Sequence, residues 1–155
     1  MGKHAYLIIV HKDDKCFRTL IKLLDFKDND IYIHMDKKNK KYNKYEIESI
    51  VKYSNLYHIE RKNVTWGGNS QIDTEIRLLE YASSNSKYDF YHLLSGQDLP
   101  IKDQKYIHNF FDKNIGKEFI RFEKEEFDYS NRVNYFYFFQ EKIGKTNKLY
   151  KRIIN

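Results

Sequence analysis

VTWGGNSQIDTEIRLLEYASSNSKYDFYHLLSGQDLP, residues 64–100, reads as loop, helix, strand, loop. Trp66, the single tryptophan of the chain, is followed by Gly67 and Gly68, then by Asn69 and Ser70, both good N-cap residues. Ile72, Ile76, Leu79 and Ala82 recur at three- and four-residue spacing, which predicts a helix with one buried face. Residues 83–86 are a polar break, and residues 89–94 form a short aromatic and apolar run of strand type. That run empties into Ser95-Gly96-Gln97-Asp98, and Pro100 closes the turn. Polar residues thus stand where a strand ends, which is where ligands sit in open α/β sheets.

Upstream, residues 5–10 are a nearly continuous apolar run, as expected of a strand buried on both faces. Asp13 or Asp14 can cap a helix that turns Phe17, Leu20, Ile21 and Leu24 inward. Asp28-Asn29-Asp30 reads as a turn and residues 31–35 as a second strand ending at Asp36. A basic loop over 37–44, a helix with Ile47, Ile50 and Val51 inward, and a third strand over 56–59 follow. Downstream, Asp103 can cap a helix carrying Tyr106, Ile107, Phe110 and Phe111, Gly116 ends it, and residues 118–122 look like another strand. The five aromatics at 135–139 have no clear period, and the tail from Lys145 to Asn155 is basic. Strands that alternate with helices predict an α/β fold: a mostly parallel Rossmann-like sheet with helices on both faces, in one domain over 1–155.

Composition bounds the function. Hydrophobic residues make up 41% of the 155 and charged residues 32%, so the chain can bury a core and falls outside the membrane class. Its formal charge is +6, which favours anionic partners such as nucleotides, phosphates or acidic lipid surfaces. Peripheral contact with a membrane fits that charge. The apolar run near the N-terminus is too short for a signal peptide or a span, so the expected location is intracellular, in the cytoplasm. Cys16 is the sole cysteine, which excludes an intramolecular disulfide and reads as packing.

The dinucleotide fingerprint, the Walker loop and the nucleophile elbow are all missing. The basic residues are dispersed outside 37–44 and match no nucleic-acid motif, so nucleic acid is not expected as a partner. The six histidines lack chelating spacing, and the one Asp-x-Asp spelling, Asp28-Asn29-Asp30, precedes a strand instead of following one. No metal is expected. His11, Asp36 and the residues 95–98 fall at three strand ends, hence on one rim, where an aspartate can accept from a base N–H or a ribose hydroxyl.

The runs at 5–11, Ile33-His34-Met35-Asp36, Trp66-Gly67-Gly68-Asn69-Ser70 and 93–102 occur in the order and spacing of one family. Over residues 4–125 the sequence resembles the core-2/I-branching β-1,6-N-acetylglucosaminyltransferases, which also include the peptide O-xylosyltransferases; bacterial members look most alike. The resemblance implies a GT-A fold and an inverting transferase that needs no metal or other cofactor. It would move a sugar of the N-acetylglucosamine or xylose type from a UDP-sugar to a glycan or lipid-linked acceptor. It implies donor binding by Val10, His11, Asp36, Trp66, Gly67, Ser95, Gly96 and Asp98, and acceptor binding by Glu123 and Arg132. Family members run to about twice this length, and their basic residues for the leaving diphosphate and their catalytic glutamate lie in the second half. The resemblance therefore places the family's base beyond Asn155, the last residue of this sequence, and implies a chain truncated at its C-terminus. Within the chain, Asp98 and Glu123 are the only carboxylates to nominate as a base. The alternative is a non-catalytic nucleotide- or glycan-binding module.

Overall fold

The computed structural model describes residues 2–119, 130, 134 and 140–143. Its elements in chain order are β1 (His4–Val10), α1 (Lys15–Leu24), β2 (Asn29–Met35), α2 (Lys44–Glu48), β3 (Asn55–His58), α3 (Asn69–Asn85), β4 (Phe90–Ser95), α4 (Gln104–Asp112) and the short α5 (Gln140–Ile143). The four strands form one sheet in the order β3-β2-β1-β4, and each neighbouring pair is parallel. The expected α/β architecture is therefore present.

Strand alternation sorts the core into two layers. Tyr6, Ile8 and Val10 of β1 pack with Ile31, Ile33 and Met35 of β2 against Phe17, Leu20, Ile21 and Leu24 of α1 and Ile47 of α2. Ala5, Leu7 and Tyr32 point the other way, toward Leu78 and Ala82 of α3. Helices thus cover both faces. This double burial is why β1 reads as an unbroken apolar run.

Several expectations need correction. Asn29 and Asp30 are not turn residues; both are buried in β2. Asn29 donates to the Leu24 carbonyl, and Asp30 holds Lys3 at 2.7 Å and accepts from Tyr88, so both polar groups are satisfied. On α3 the sheet-facing stripe is Thr74, Leu78 and Ala82, while Ile72 (57%), Ile76 (49%) and Leu79 (42%) are exposed. Thr74 and Ala82 are small and let the helix lie close to the sheet, and the Thr74 hydroxyl bonds back to the Ser70 carbonyl at 2.8 Å. On α4 the buried residues are Gln104 and His108, not Tyr106 or Phe110. Gln104 Oε1 accepts from Tyr6 (3.0 Å) and Asn29 (2.7 Å), and His108 meets Asn29 at 2.7 Å, so a polar network docks this helix. Finally, α2 ends at Glu48; Ile50 and Val51 still pack on the core from beyond it.

Asp14 caps α1 through Phe17 N–H, and Asp103 caps α4 through Tyr106 N–H. The N-cap of α3 is Gly68 and not Asn69 or Ser70, because Ser70 Oγ is turned back to accept from Thr65 N–H at 2.8 Å. Lys117, Glu118 and Phe119 have no regular structure; the rest of the strand expected over 118–122, the aromatics at 135–139 and the basic tail from Lys145 to Asn155 lie outside the described residues. Among the described residues no helix is long and apolar enough to cross a membrane.

Candidate functional site

β1 lies between β2 and β4, so the chain reverses direction across the sheet beside it. The crevice beyond the strand ends at such a switch point is the expected ligand position. A cleft of about 1250 Å³ opens there. Val10, His11, Asp36, Trp66 and Ser95 all line it.

Asp36 continues β2 past its last strand residue. Its N–H donates to the Val10 carbonyl at 2.8 Å, which fixes the two strand ends together. The side chain is buried, with Oδ1 accepting from Lys38 N–H at 2.9 Å and Oδ2 3.9 Å from Lys38 Nζ. The same ammonium donates to the Val64 carbonyl, just before Trp66. Arg61, unremarked in the sequence, grips this loop from beneath. Its guanidinium donates to the carbonyls of Met35 (3.1 Å), Asp36 (2.8 Å) and Asn39. His34 is fully buried, and burial lowers its pKa; its Nε2 accepts from Lys62 N–H at 3.0 Å. It therefore braces the loop after β3 as a neutral ring instead of reaching the cleft.

His11 is exposed on the rim, and its carbonyl accepts from Asn39 Nδ2 at 3.5 Å. On the β4 side, Gly96 donates to the Ile9 carbonyl at 2.9 Å. A Cβ on Gly96 would stand 2.7 Å from Val10 Cβ, so only glycine lets the two strand ends meet. Gly96 supports the cleft from behind Val10. Asp98 does the same: its Oδ2 accepts from Ser95 N–H at 2.6 Å and closes the turn. Gln97 crosses to Asp14 at 3.2 Å, and Cys16, half-buried on α1, has Sγ 3.6 Å from the Gln97 carbonyl. The Phe17 N–H, followed by the Gln97 contact, lowers the Asp14 pKa.

Trp66 is 63% exposed on the cleft wall, more open than a stacked pocket residue. Gly67 has φ +71°, the left-handed conformation its position predicts, and donates to Gln71 Oε1 at 3.2 Å. Close approach occurs at Gly68, where a Cβ would collide with the Glu141 carboxylate. Glu141 Oε2 accepts from Ser70 N–H at 3.1 Å and its carbonyl accepts from Thr65 Oγ1 at 2.7 Å. The Ser70 side chain, followed by the Ser70 N–H, lowers the Glu141 pKa. The paired glycines accommodate α5.

Sequence reading missed Arg61, Glu141, and the cleft-lining Gln71 and Glu75 on α3. The spacing of Gln71 and Glu75, one turn apart, was legible; their direction was not, because the wrong stripe of α3 had been turned inward. Lys12, Lys38 and Lys41 bring positive charge to the cleft. Glu123 and Arg132, nominated for the acceptor, lie outside the described residues. So does Asn155, the position past which the resemblance sets the family's catalytic base; of the two carboxylates nominated in its stead, only Asp98 is described. Among the described residues no three His, Cys, Asp or Glu side chains are grouped to hold a metal.

A parallel α/β sheet with a polar cleft at its switch point defines a Rossmann-like ligand-binding domain. Residues 4–152 match the family described as "Core-2/I-Branching enzyme". A xylosyltransferase of Ciona intestinalis is 32% identical over 130 residues, covering 79% of this chain and 15% of that protein. A probable beta-1,3-galactosyl-O-glycosyl-glycoprotein beta-1,6-N-acetylglucosaminyltransferase 7 of Sus scrofa is 30% identical over 120 residues, 72% of this chain and 28% of its own length. Human xylosyltransferase 2 is 28% identical over 123 residues, 76% of this chain and 14% of its own. The chain belongs to the core-2/I-branching enzyme family of glycosyltransferases. It spans less than a third of the length of these curated relatives.

Proposed function

We propose that the cleft binds the nucleotide of a UDP-sugar and that the domain serves an inverting, metal-independent transfer of an N-acetylglucosamine- or xylose-type sugar to a glycan or lipid-linked hydroxyl. The observation that carries this reading is Asp36: a buried carboxylate at the switch-point cleft with one oxygen held by Lys38 N–H. Its second oxygen is suited to accept from a uracil N–H or a ribose hydroxyl. Lys12, Lys38 and Lys41 supply the positive field that a diphosphate needs. Of the other nominated donor residues, Val10, His11, Trp66 and Ser95 are on the wall, and Gly67, Gly96 and Asp98 hold the wall in shape.

In a single in-line displacement, a carboxylate takes the proton from the acceptor hydroxyl. The oxygen attacks the anomeric carbon, and the bond to UDP breaks with its electron pair going to the diphosphate. Such base assistance is worth about 10²–10⁴-fold. Asp98 is a poor candidate for the base, because its carboxylate is spent on Ser95 N–H and it does not line the cleft. That observation favours a second reading for this stretch of chain, a nucleotide- or glycan-binding module that does not itself turn over.

Titration calorimetry with UDP, in EDTA and in manganese, tests the binding. We expect affinities within twofold of each other. A tenfold gain with manganese would remove metal independence, and no binding in either would remove the donor site. Release of UDP from a UDP-sugar in the presence of glycan acceptors separates the transferase from the module.

A further inference from the structure

We propose that Glu75 is a sugar-recognising residue: its carboxylate accepts hydrogen bonds from hydroxyls of the sugar carried on a nucleoside diphosphate. The inference rests on the donor-site reading above.

Among the described residues four carboxylates line the cleft: Asp13, Asp14, Asp36 and Glu75. Three are engaged. Asp13 takes two bonds from Arg18, at 2.7 and 2.9 Å. Asp14 caps α1 and accepts from Gln97. Asp36 accepts from Lys38 N–H. Glu75 is half-buried, and among the described residues it makes no hydrogen bond or ion pair. A carboxylate on a ligand cleft that no protein donor occupies is free to accept hydrogen bonds from a ligand.

The surroundings specify what kind. Glu75 lies one helical turn beyond Gln71, on the same face of α3. Gln71 Oε1 already accepts from Gly67 N–H, which leaves both of its amide N–H groups to offer. Ile9, Leu93 and Ser95 line the cleft from the same sheet face as α3, and Trp66 closes that side. The cleft-lining lysines come from other loops: Lys12 after β1, and Lys38 and Lys41 after β2. A carboxylate only accepts hydrogen bonds and repels phosphate. A neutral polyol satisfies it. The diphosphate belongs with the lysines, and the sugar belongs against α3.

The test is calorimetry of the whole chain and of Glu75→Gln with three probes: UDP, UDP-N-acetylglucosamine and UDP-xylose. We expect UDP affinity within twofold of the parent protein, tenfold or greater weakening of at least one sugar nucleotide, and a melting temperature unchanged or raised. Glu75→Ala repeats the comparison should the amide unsettle the helix. Equal effects on all three probes, no effect on any, or a parent protein that binds UDP but neither sugar nucleotide would overturn the assignment of Glu75 alone. A parent protein that binds none of them removes the donor-site reading, and this inference with it.

Discussion

Asp36 is only 6% exposed, and its backbone is held from three directions: by the Val10 carbonyl, by Arg61 and by the strand it ends. With the backbone fixed in this way, Asp36→Ala removes an acceptor without releasing the loop. We expect UDP affinity to fall by about 1–3 kcal/mol, the range for a lost hydrogen bond to a charged group. Melting and titration together check this: a lower melting temperature with unchanged affinity would make Asp36 a turn former only. Trp66 offers an independent reading, since every change in tryptophan emission has one source. Saturating UDP should shift or quench it, and an unchanged spectrum would remove Trp66 from the nucleotide. The place of Asp36 on the cleft was legible because a residue directly after an interior parallel strand falls on the rim where the strands end. Arg61 was not, because its partners are carbonyls, and every residue type has a carbonyl.

At the level of elements, α1 to α4 existed where periodicity placed them, α5 was not foreseen, and two of the four were rotated from expectation. α3 carries two apolar stripes, and hydrophobicity alone selected Ile72, Ile76 and Leu79 over the narrower stripe of Thr74, Leu78 and Ala82 that fits against the sheet. α4 docks through Gln104 and His108, polar residues whose burial depends on Asn29 and Tyr6, remote in sequence. Periodicity gives the existence of a face; which face is inward depends on the partner's shape. The strand ends are the counterpart, since β1 and β4 meet only because residue 96 has no side chain. Gly96→Ala should therefore cost about 1–3 kcal/mol, the usual range for overpacking. Urea unfolding measures it, and a compensating Val10→Ala change should recover part of the loss. A Gly96→Ala protein as stable as the parent would show that the strand ends separate freely.

At the scale of the whole molecule, the described residues include a histidine cluster at the end of the sheet opposite the cleft. His4, at the start of β1, stacks on His108 with ring centroids 3.9 Å apart and meets His92 at 3.1 Å. Burial, then the neighbouring His108 and His92, push the His4 pKa down to about 3; burial and His108 push His92 down to about 4. Burial also lowers His108, against the opposing pull of Asp28 and Asp112. A folded-state pKa below the unfolded 6.5 means that the unfolded chain binds more protons in acid. This contribution to stability is complete above about pH 7 and declines as pH falls through roughly 6.5 toward about 4 for His92 and about 3 for His4. Each group contributes a slope of up to about 1.4 kcal/mol per pH unit. Urea melts at about pH 7 and about pH 5 should differ by roughly 3 kcal/mol or more in total. Equal stability at the two values would mean that the cluster is hydrated and titrates normally. None of this was visible in the spacing of the histidines, because the strands and α4 bring them together across the chain.

The strand order has a consequence for how the chain reaches this state. Of the four described strands β1 is synthesised before the others, yet it occupies an interior position; its partners are β2, which pairs His4 with Asn29, and β4, which pairs His4 with Phe90. The β1-α1-β2 unit can close as soon as it leaves the ribosome, whereas the other edge of β1 stays bare until β4 is made. A bare apolar edge of this kind can recruit foreign strands, so the interval before β4 docks carries a risk of aggregation. If β1 pairs with β2 in the folding nucleus and β4 joins after the transition state, Ile33→Val will mainly slow refolding, and Leu94→Ala will mainly speed unfolding. Stopped-flow chevrons of the two variants read that order directly, and the opposite pattern would put β4 in the nucleus.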